Sequence, residues 1–321
     1  MKILRTFNQE TIQKPLQVAV GVIKNSSGQV LISLRGKSLH QGGLWEFPGG
    51  KVELSETAEQ ALVRELKEEL NITFQAATPL ITINHQYPEL AVQLHVFLVE
   101  SYSGVAKSCE GQPFLWVNPD ELANYSFLAA NQPIITAARL PPYYAILDDA
   151  DPSLVLANLK IILSKGIKLI QARLKTLAAE ATETFLEQAY PLCKAHKAWL
   201  LLNSAVGYAG RFEVDGLHLT SADLLACEQR PQGKQWVAAS CHNLEELHHA
   251  ERIGVDFVVL APVLPTPTHP DAGGLGWDQF AELVAQANLP VYALGGLAES
   301  DLPAAQEAGA QGVAGIRAFL G

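Results

Sequence analysis

The amino-acid sequence predicts an α/β chain in two parts, an α/β/α sandwich with a mixed sheet over residues 1–138 and a (β/α)8 TIM barrel over 143–321. Three observations predict it. The 321 residues exceed what one hydrophobic core usually serves. The first part reads strand, strand, helix, strands, helix, the order of a layered fold. The second part alternates eight short apolar runs with helical patterns, which a closed barrel accommodates most economically and a doubly wound open sheet accommodates next best. Between the two lies RLPPYY at 139–144, whose paired prolines make a short, stiff junction.

In chain order, VAVGVI at 18–23 and QVLISLR at 29–35 flank the turn NSSG and read as a hairpin. A loop through HQGGLWEFPGG at 40–50 leads to a helix. Strands follow at 78–84, 90–99 and 114–117, then a helix within 130–139. The barrel strands are expected at 143–147, 167–173, 198–203, 216–220, 235–240, 256–262, 290–296 and 312–316. Helices are expected at about 152–164, 177–196, 243–253, 277–287 and 299–308, with 204–234 irregular.

Composition narrows the function classes. Hydrophobic residues make up 48% of the chain and charged residues 17%, as in an ordinary globular protein. Basic against acidic residues number 10 to 13 in 1–137 and 13 to 20 in 138–321, so neither part offers a groove for polymeric nucleic acid. A small nucleotide fits if a metal neutralises its phosphates. No stretch has the length of a membrane span and the first residues lack an apolar signal core, which argues against a membrane partner. Cys109, Cys193, Cys227 and Cys241 show no CxxC spacing, as expected of free thiols in the cytoplasm.

The densest chemistry lies in GKVELSETAEQALVRELKEELNI, residues 50–72. Glu65, Glu68 and Glu69 fall at i, i+3 and i+4, so one helix face gathers three carboxylates that repel unless a divalent cation joins them. Ala58, Ala61, Leu62, Leu66 and Leu70 give the opposite face something to bury. Ser55 is the expected N-cap, with Glu56 near the positive end of the helix.

This stretch resembles the signature of the Nudix hydrolases, carried by Gly50, Glu56, Arg64, Glu65, Leu66, Glu68, Glu69 and Ile72, with Asn71 where the family has glycine. Asn tolerates the positive φ that closes a helix, so the departure is mild. The likeness extends to the branch acting on oxidised guanine nucleotides, through WEFPGGK at 45–51, Arg35, Glu110-Gly-Gln-Pro and Asn131-Gln-Pro. The resemblance implies Mg²⁺, with Mn²⁺ as an alternative, held first by Glu65 and Glu69. Glu68, Glu56 and Glu110 would be further ligands or proton acceptors. Arg64, with Gly49 and Gly50, would hold the loop before the helix. Arg35 would contact phosphate or nucleotide, Phe47 and Pro48 would line the base pocket, and Asn131 would bond the purine edge. Val96 stands where that branch carries an aromatic lining residue, with Phe97 facing away.

In a barrel, functional groups collect where strands end. Those places hold Gln171, Arg173, Lys175, Asn203, His218, Ser240, His242 and the loop 262–276, while Gly295, Gly296 and Gly315 could turn backbone N–H groups toward one phosphate. This part resembles thiamine phosphate synthase and its relative the thiazole tautomerase. Gln171-x-Arg173-x-Lys175, Pro265-Thr266-x-Thr268, the segment 293–297 and the segment 312–316 carry the likeness. It implies a phosphorylated thiazole or thiamine-related ligand, held by Arg173, Lys175, Thr266, Thr268 and the three glycines. The departures fall on the chemistry. Ser204 and Ala222 occupy the two magnesium-carboxylate positions and His269 replaces a lysine, so condensation is not expected. His242 matches the tautomerase's acid–base histidine. The expected function is hydrolysis of a nucleoside triphosphate, 8-oxo-dGTP foremost, to the monophosphate and pyrophosphate, with a phosphate-binding barrel of altered chemistry. A bifunctional enzyme and a regulatory binding protein are the alternatives.

Overall fold

A computed structural model describes residues 14–37, 41–207, 212–265 and 273–320. The first β-branched run forms β1 (Leu16–Ile23), and the turn Asn25–Gly28 leads to β2 (Val30–Leu34). The expected hairpin does not form, and only a Lys24–Val30 bridge joins the two runs. The reason is edge occupancy. β1 spends one edge on β4 (Gly49–Lys51), antiparallel, and the other on β6 (Ala91–Val99), parallel, leaving β2 no backbone partner there. β2 instead pairs with β3 (Trp45–Glu46) and β7 (Phe114–Val117) in a separate antiparallel sheet, while β5 (Thr78–Gln86) completes the mixed sheet against β6. The single mixed sheet expected from the sequence is therefore two sheets. Two-residue and three-residue strands within HQGGLWEFPGG are too short to show a period of two.

Helix α1 (Ala58–Leu70) buries Ala61, Leu62, Leu66 and Leu70 against Ala19, Ile23 and Leu31. Its cap is Thr57, not Ser55. Thr57 Oγ1 accepts from Gln60 N at 3.2 Å and Gln60 Oε1 accepts from Thr57 N at 2.8 Å, a reciprocal box that Ser55 has no residue to complete. Thr57→Ala is expected to cost about 1 kcal/mol. Denaturant midpoints check this, with Ser55→Ala expected to leave stability unchanged. Asn71 closes the helix at φ 53°, in the left-handed region, and Lys67 Nζ donates to its Oδ1 at 3.0 Å. On the other side of the sheet α2 (Gln132–Arg139) packs Ile134, Ile135, Ala137 and Ala138 into the core that holds Phe47 and Val96.

After α2 the chain enters β8 (Tyr143–Asp148), α3 (Val155–Ser164), β9 (Leu169–Arg173), α4 (Ala179–Ala195) and β10 (Trp199–Asn203). Then come β11 (Gly216–Leu219), α5 (Ser221–Ala226), β12 (Trp236–Cys241), α6 (Leu244–Ile253) and β13 (Phe257–Leu260). The chain continues through α7 (Gly276–Val284), β14 (Val291–Leu294), α8 (Leu302–Glu307) and β15 (Gly312–Gly315). All eight strands pair in parallel and β15 closes on β8, which settles barrel against open sheet. Helix α5 lies within the segment read as irregular; at six residues it shows too little amphipathic period to be recognised.

The junction seals the floor of the barrel. Leu140, 5% exposed, joins Tyr144, Trp236, Phe257 and Tyr292 in the barrel interior. Arg139 lays its guanidinium over the Trp236 ring at 4.6 Å, and Tyr292 OH donates to the Pro141 carbonyl. Gln311 Nε2 donates to the carbonyls of Ala137 at 3.2 Å and Leu140 at 3.1 Å. Among the described residues no helix is long and apolar enough to cross a membrane, and the four cysteines are free.

Candidate active sites

Arg64 organises the acidic helix. It donates to Glu56 through Nη2 at 2.6 Å and Nε at 3.2 Å, to the Lys51 carbonyl at 3.0 Å and to Glu65 Oε1 at 2.7 Å. Glu56, expected among the ligands or proton acceptors, is thus committed to Arg64, which holds its carboxyl below the usual range. One guanidinium fastens the loop over the helix. Glu65 lies so close to Gly50 that any Cβ there would overlap its carboxylate, and a Cβ on Gly49, at φ 146°, would meet the Ala19 carbonyl. Gly49 N–H donates to Glu69 Oε2 at 3.3 Å. Glu68 points outward, its side chain 58% exposed, 3.6 Å from Arg64 Nη1. Glu110 is exposed on its loop and accepts from Gln112.

The electrostatics show what this cluster wants. Burial comes first and Glu65 second in pushing the Glu69 carboxyl up to about 8; Glu46 and Glu110 add to it, and only the Gly49 N–H opposes. Several carboxylates crowd one half-enclosed spot that a hard cation would relieve, and the glycine backbone leaves room beside them. These residues fit Mg²⁺. As placed, with Glu65 on Arg64, no three acidic or histidine side chains among the described residues converge as a finished cage.

Beside this cluster opens a cavity of about 560 Å³, lined by Arg35, Glu46, Phe47, Tyr87, Leu128 and Asn131 among others. Phe47 stacks on Phe127 at 5.4 Å. Asn131 is 5% exposed yet lines the cavity, which sets a nearly buried amide against whatever fills it. Arg35 pairs with Glu46 at 2.8 Å, and burial raises the Glu46 carboxyl against that pairing. Pro48 does not line the cavity; it is buried behind it with its carbonyl accepting from Gly21 N. Val96 is likewise core, while Val92 and Leu94 of the same strand reach the cavity. Phe97 faces α1 as expected. Glu46 and Tyr87 were missed by sequence reasoning. Glu46 lies inside the quoted WEFPGGK run, and Tyr87 precedes a proline at the turn between β5 and β6.

In the barrel a cavity of about 1100 Å³ opens at the strand ends, lined by Arg173, His242, Gly295, Gly296 and Gly315 together with Gln171, Asn203, His218 and Ser240. Gly295 at φ 113° and Gly296 at φ 69° need glycine twice over, since side chains there would strike Pro262 and Leu264. Lys175 is exposed and does not line this cavity. Thr266, Thr268 and His269 lie outside the described residues. His242 is half-exposed, with Nδ1 3.0 Å from Glu246 Oε2. Contrary to expectation, Ser204 and Ala222 do not leave this region without an acid. The next residue, Asp223, stands against Ser204, and its Oδ2 accepts from Ser204 Oγ and from Thr220 Oγ1. These hydroxyls, Ser204 first, hold its carboxyl low. The Thr220-x-x-Asp223 spacing of a helix start was the available signal.

Fold and sites define a layered α/β domain with a carboxylate-rich helix beside a cavity, joined to a closed parallel β/α barrel with a glycine-edged cavity at its strand ends. The chain belongs to the NUDIX family through residues 19–137 and to the thiamine monophosphate synthase family through residues 143–319. It is 40% identical over 126 residues to the 8-oxo-dGTP diphosphatase of Escherichia coli, spanning 39% of this chain and 98% of that one. The CTP pyrophosphohydrolase of the same organism is 34% identical over 124 residues, spanning 39% of this chain and 91% of that one. The thiamine-phosphate synthase of Bacteroides fragilis is 35% identical over 175 residues, spanning 51% of this chain and 85% of that one.

Proposed function

We propose that residues 1–138 form a diphosphatase domain that cuts 8-oxo-dGTP to the monophosphate and pyrophosphate, a nucleotide-sanitising activity, and that residues 143–321 form a second domain binding a phosphorylated thiazole-like ligand. The observation that carries the first part is the juxtaposition of Glu65 and Glu69, against Gly49 and Gly50, with a cavity presenting the nearly buried Asn131 amide. Mg²⁺ or Mn²⁺, held by Glu65 and Glu69 with Glu110 and Glu68 in support, supplies charge neutralisation at the phosphates and activation of water. Arg64 keeps the loop on the helix. Phe47 and Tyr87 flank the base, Asn131 reads its edge, and Arg35 approaches the nucleotide while tied to Glu46.

Magnesium-dependent hydrolysis of a panel including 8-oxo-dGTP, dGTP and CTP, with phosphorus product analysis, tests the reading. Monophosphate and pyrophosphate are the expected products; inorganic phosphate as first product defeats the assignment. A higher kcat/KM for dGTP or CTP than for 8-oxo-dGTP keeps the chemistry and removes the sanitising role. Asn131→Ala is expected to change the ratio of kcat/KM between oxidised and ordinary dGTP by roughly tenfold, the worth of about one hydrogen bond to a buried amide, without altering the metal requirement. A constant ratio removes Asn131 from base recognition.

For the barrel, Arg173 and the Gly295, Gly296 and Gly315 backbone support phosphate binding, with His242 the candidate for proton transfer. A second reading draws on Asp223: with an acid beside Ser204, the barrel also condenses its ligand with a pyrimidine pyrophosphate, making the chain bifunctional. Calorimetry of the full chain with thiazole phosphate, paired with a thiamine phosphate formation assay, separates the two.

A further inference from the structure

A buried file of polar side chains crosses the barrel from Asn203 to Ser240, and its sense can be read from one backbone group. Asn203 Oδ1 accepts from the backbone N–H of Ala205 at 3.1 Å. A backbone N–H only donates, so the amide orientation of Asn203 is fixed and its Nδ2 must face Gln171. There it donates to Gln171 Oε1 at 3.0 Å, which leaves Gln171 Nε2 to donate to Tyr144 OH at 3.3 Å. Tyr144 OH, already accepting, has its one proton left for His218 Nδ1 at 3.0 Å. The His218 proton is then on Nε2, 2.8 Å from Ser240 Oγ. The reverse sense would require Asn203 to meet the Ala205 N–H with its own NH₂ group.

We propose that His218 is a positioning residue, fixed as the Nε2–H tautomer by this file, and that it makes Ser240 a hydrogen-bond donor to the ligand of the barrel cavity. Ser240 Oγ accepts from His218 and its own proton is directed outward, so the ligand group seated on it is an acceptor: a ring nitrogen, a carbonyl or a phosphate oxygen. The surroundings support a neutral ring. His218 is 1% exposed, Tyr144 fully buried and Gln171 1% exposed. Burial first, then the charge of Arg173, holds the imidazole down near 3.

The experiment is a long-range ¹⁵N–¹H correlation spectrum of the imidazole rings in the full chain at neutral pH. The His218 ring is assigned by its loss in His218→Gln. Protonated Nε2 with bare Nδ1 is expected; protonated Nδ1, or a doubly protonated ring, overturns the proposal. Asn203→Asp is the sharper arm. A carboxylate keeps the shape and accepts from Ala205, but it has no proton for Gln171, so Gln171 must turn its NH₂ to the new carboxylate and its oxygen to Tyr144. Tyr144 then donates to Gln171, and His218 is expected to move its proton to Nδ1, three side chains from the substitution. An unchanged Nε2–H pattern sinks the idea. Tyr144→Phe serves where Asn203→Asp fails to fold: with the file cut, both tautomers are expected, and a pure Nε2–H ring would show that the file does not set it. The ligand statement rests on the barrel reading above, but the spectra need no ligand, so their failure is distinct from failure of thiazole phosphate binding in calorimetry.

Discussion

Glu69→Gln is expected to lower kcat for nucleoside triphosphate hydrolysis by roughly 10²-fold or more, the usual cost of losing transition-state electrostatics, here through a charged ligand to the cation that would cover the phosphates. The substitution keeps the size of the side chain and its bond from Gly49 N–H, because the amide oxygen still accepts. It removes an ionisable carboxyl from a place where burial and the neighbouring Glu65, Glu46 and Glu110 oppose its charge. A protein that gained nothing from the crowding would be more stable without it. The variant is therefore expected to melt no lower than the parent while losing turnover. Steady-state kinetics at saturating Mg²⁺ beside a thermal scan give both numbers. Retained kcat would place the metal elsewhere, and a large drop in melting temperature would mean that the glutamate holds the fold instead.

Leu140→Asp is expected to destabilise the barrel by at least about 3 kcal/mol, since it removes a buried leucine and leaves a carboxylate without a partner among aromatic rings. Leu140 sits with Tyr144, Trp236, Phe257 and Tyr292, and the residues beside it grip the same floor through Arg139 on Trp236 and Pro141 on Tyr292. For a unit of the barrel's size, such a loss lowers the unfolding midpoint by roughly 6–12 °C. Calorimetry of the full chain reads it. Leu154→Asp, at a leucine 48% exposed, is the control and is expected to shift the midpoint little. Equal small shifts in both would show that the junction rests on the barrel without sealing it.

Much of the architecture could be read from the chain. Eight apolar runs spaced by helical patterns specify the barrel because each parallel strand is buried on both faces and so stays apolar along its length. The acidic face of α1 and its buried stripe follow from the helical period, and Asn71 announces its end by tolerating positive φ. Elements too short to carry a period were not legible: β3, β4 and α5 span two, three and six residues. The hairpin expectation failed for a different reason, since local turn chemistry at Asn25–Gly28 was right but the edge of β1 had been claimed from far along the chain by β6.

The same division runs through the sites. Residue types and spacing by themselves determined that this protein carries a carboxylate-rich helix beside a glycine turn and a barrel with glycines at its strand ends, because both patterns are local and their chemistry is written in adjacent residues. What each acid faces was decided only by the tertiary structure. Glu56 turns to Arg64, Glu46 and Tyr87 enter a cavity they do not announce, and Asp223 sets its carboxylate against Ser204. The sense of the hydrogen-bonded file from Asn203 to Ser240 belongs to the same class. It depends on one backbone N–H meeting one amide, and five side chains scattered between Tyr144 and Ser240 must each be brought within 3.3 Å of the next before that constraint can travel.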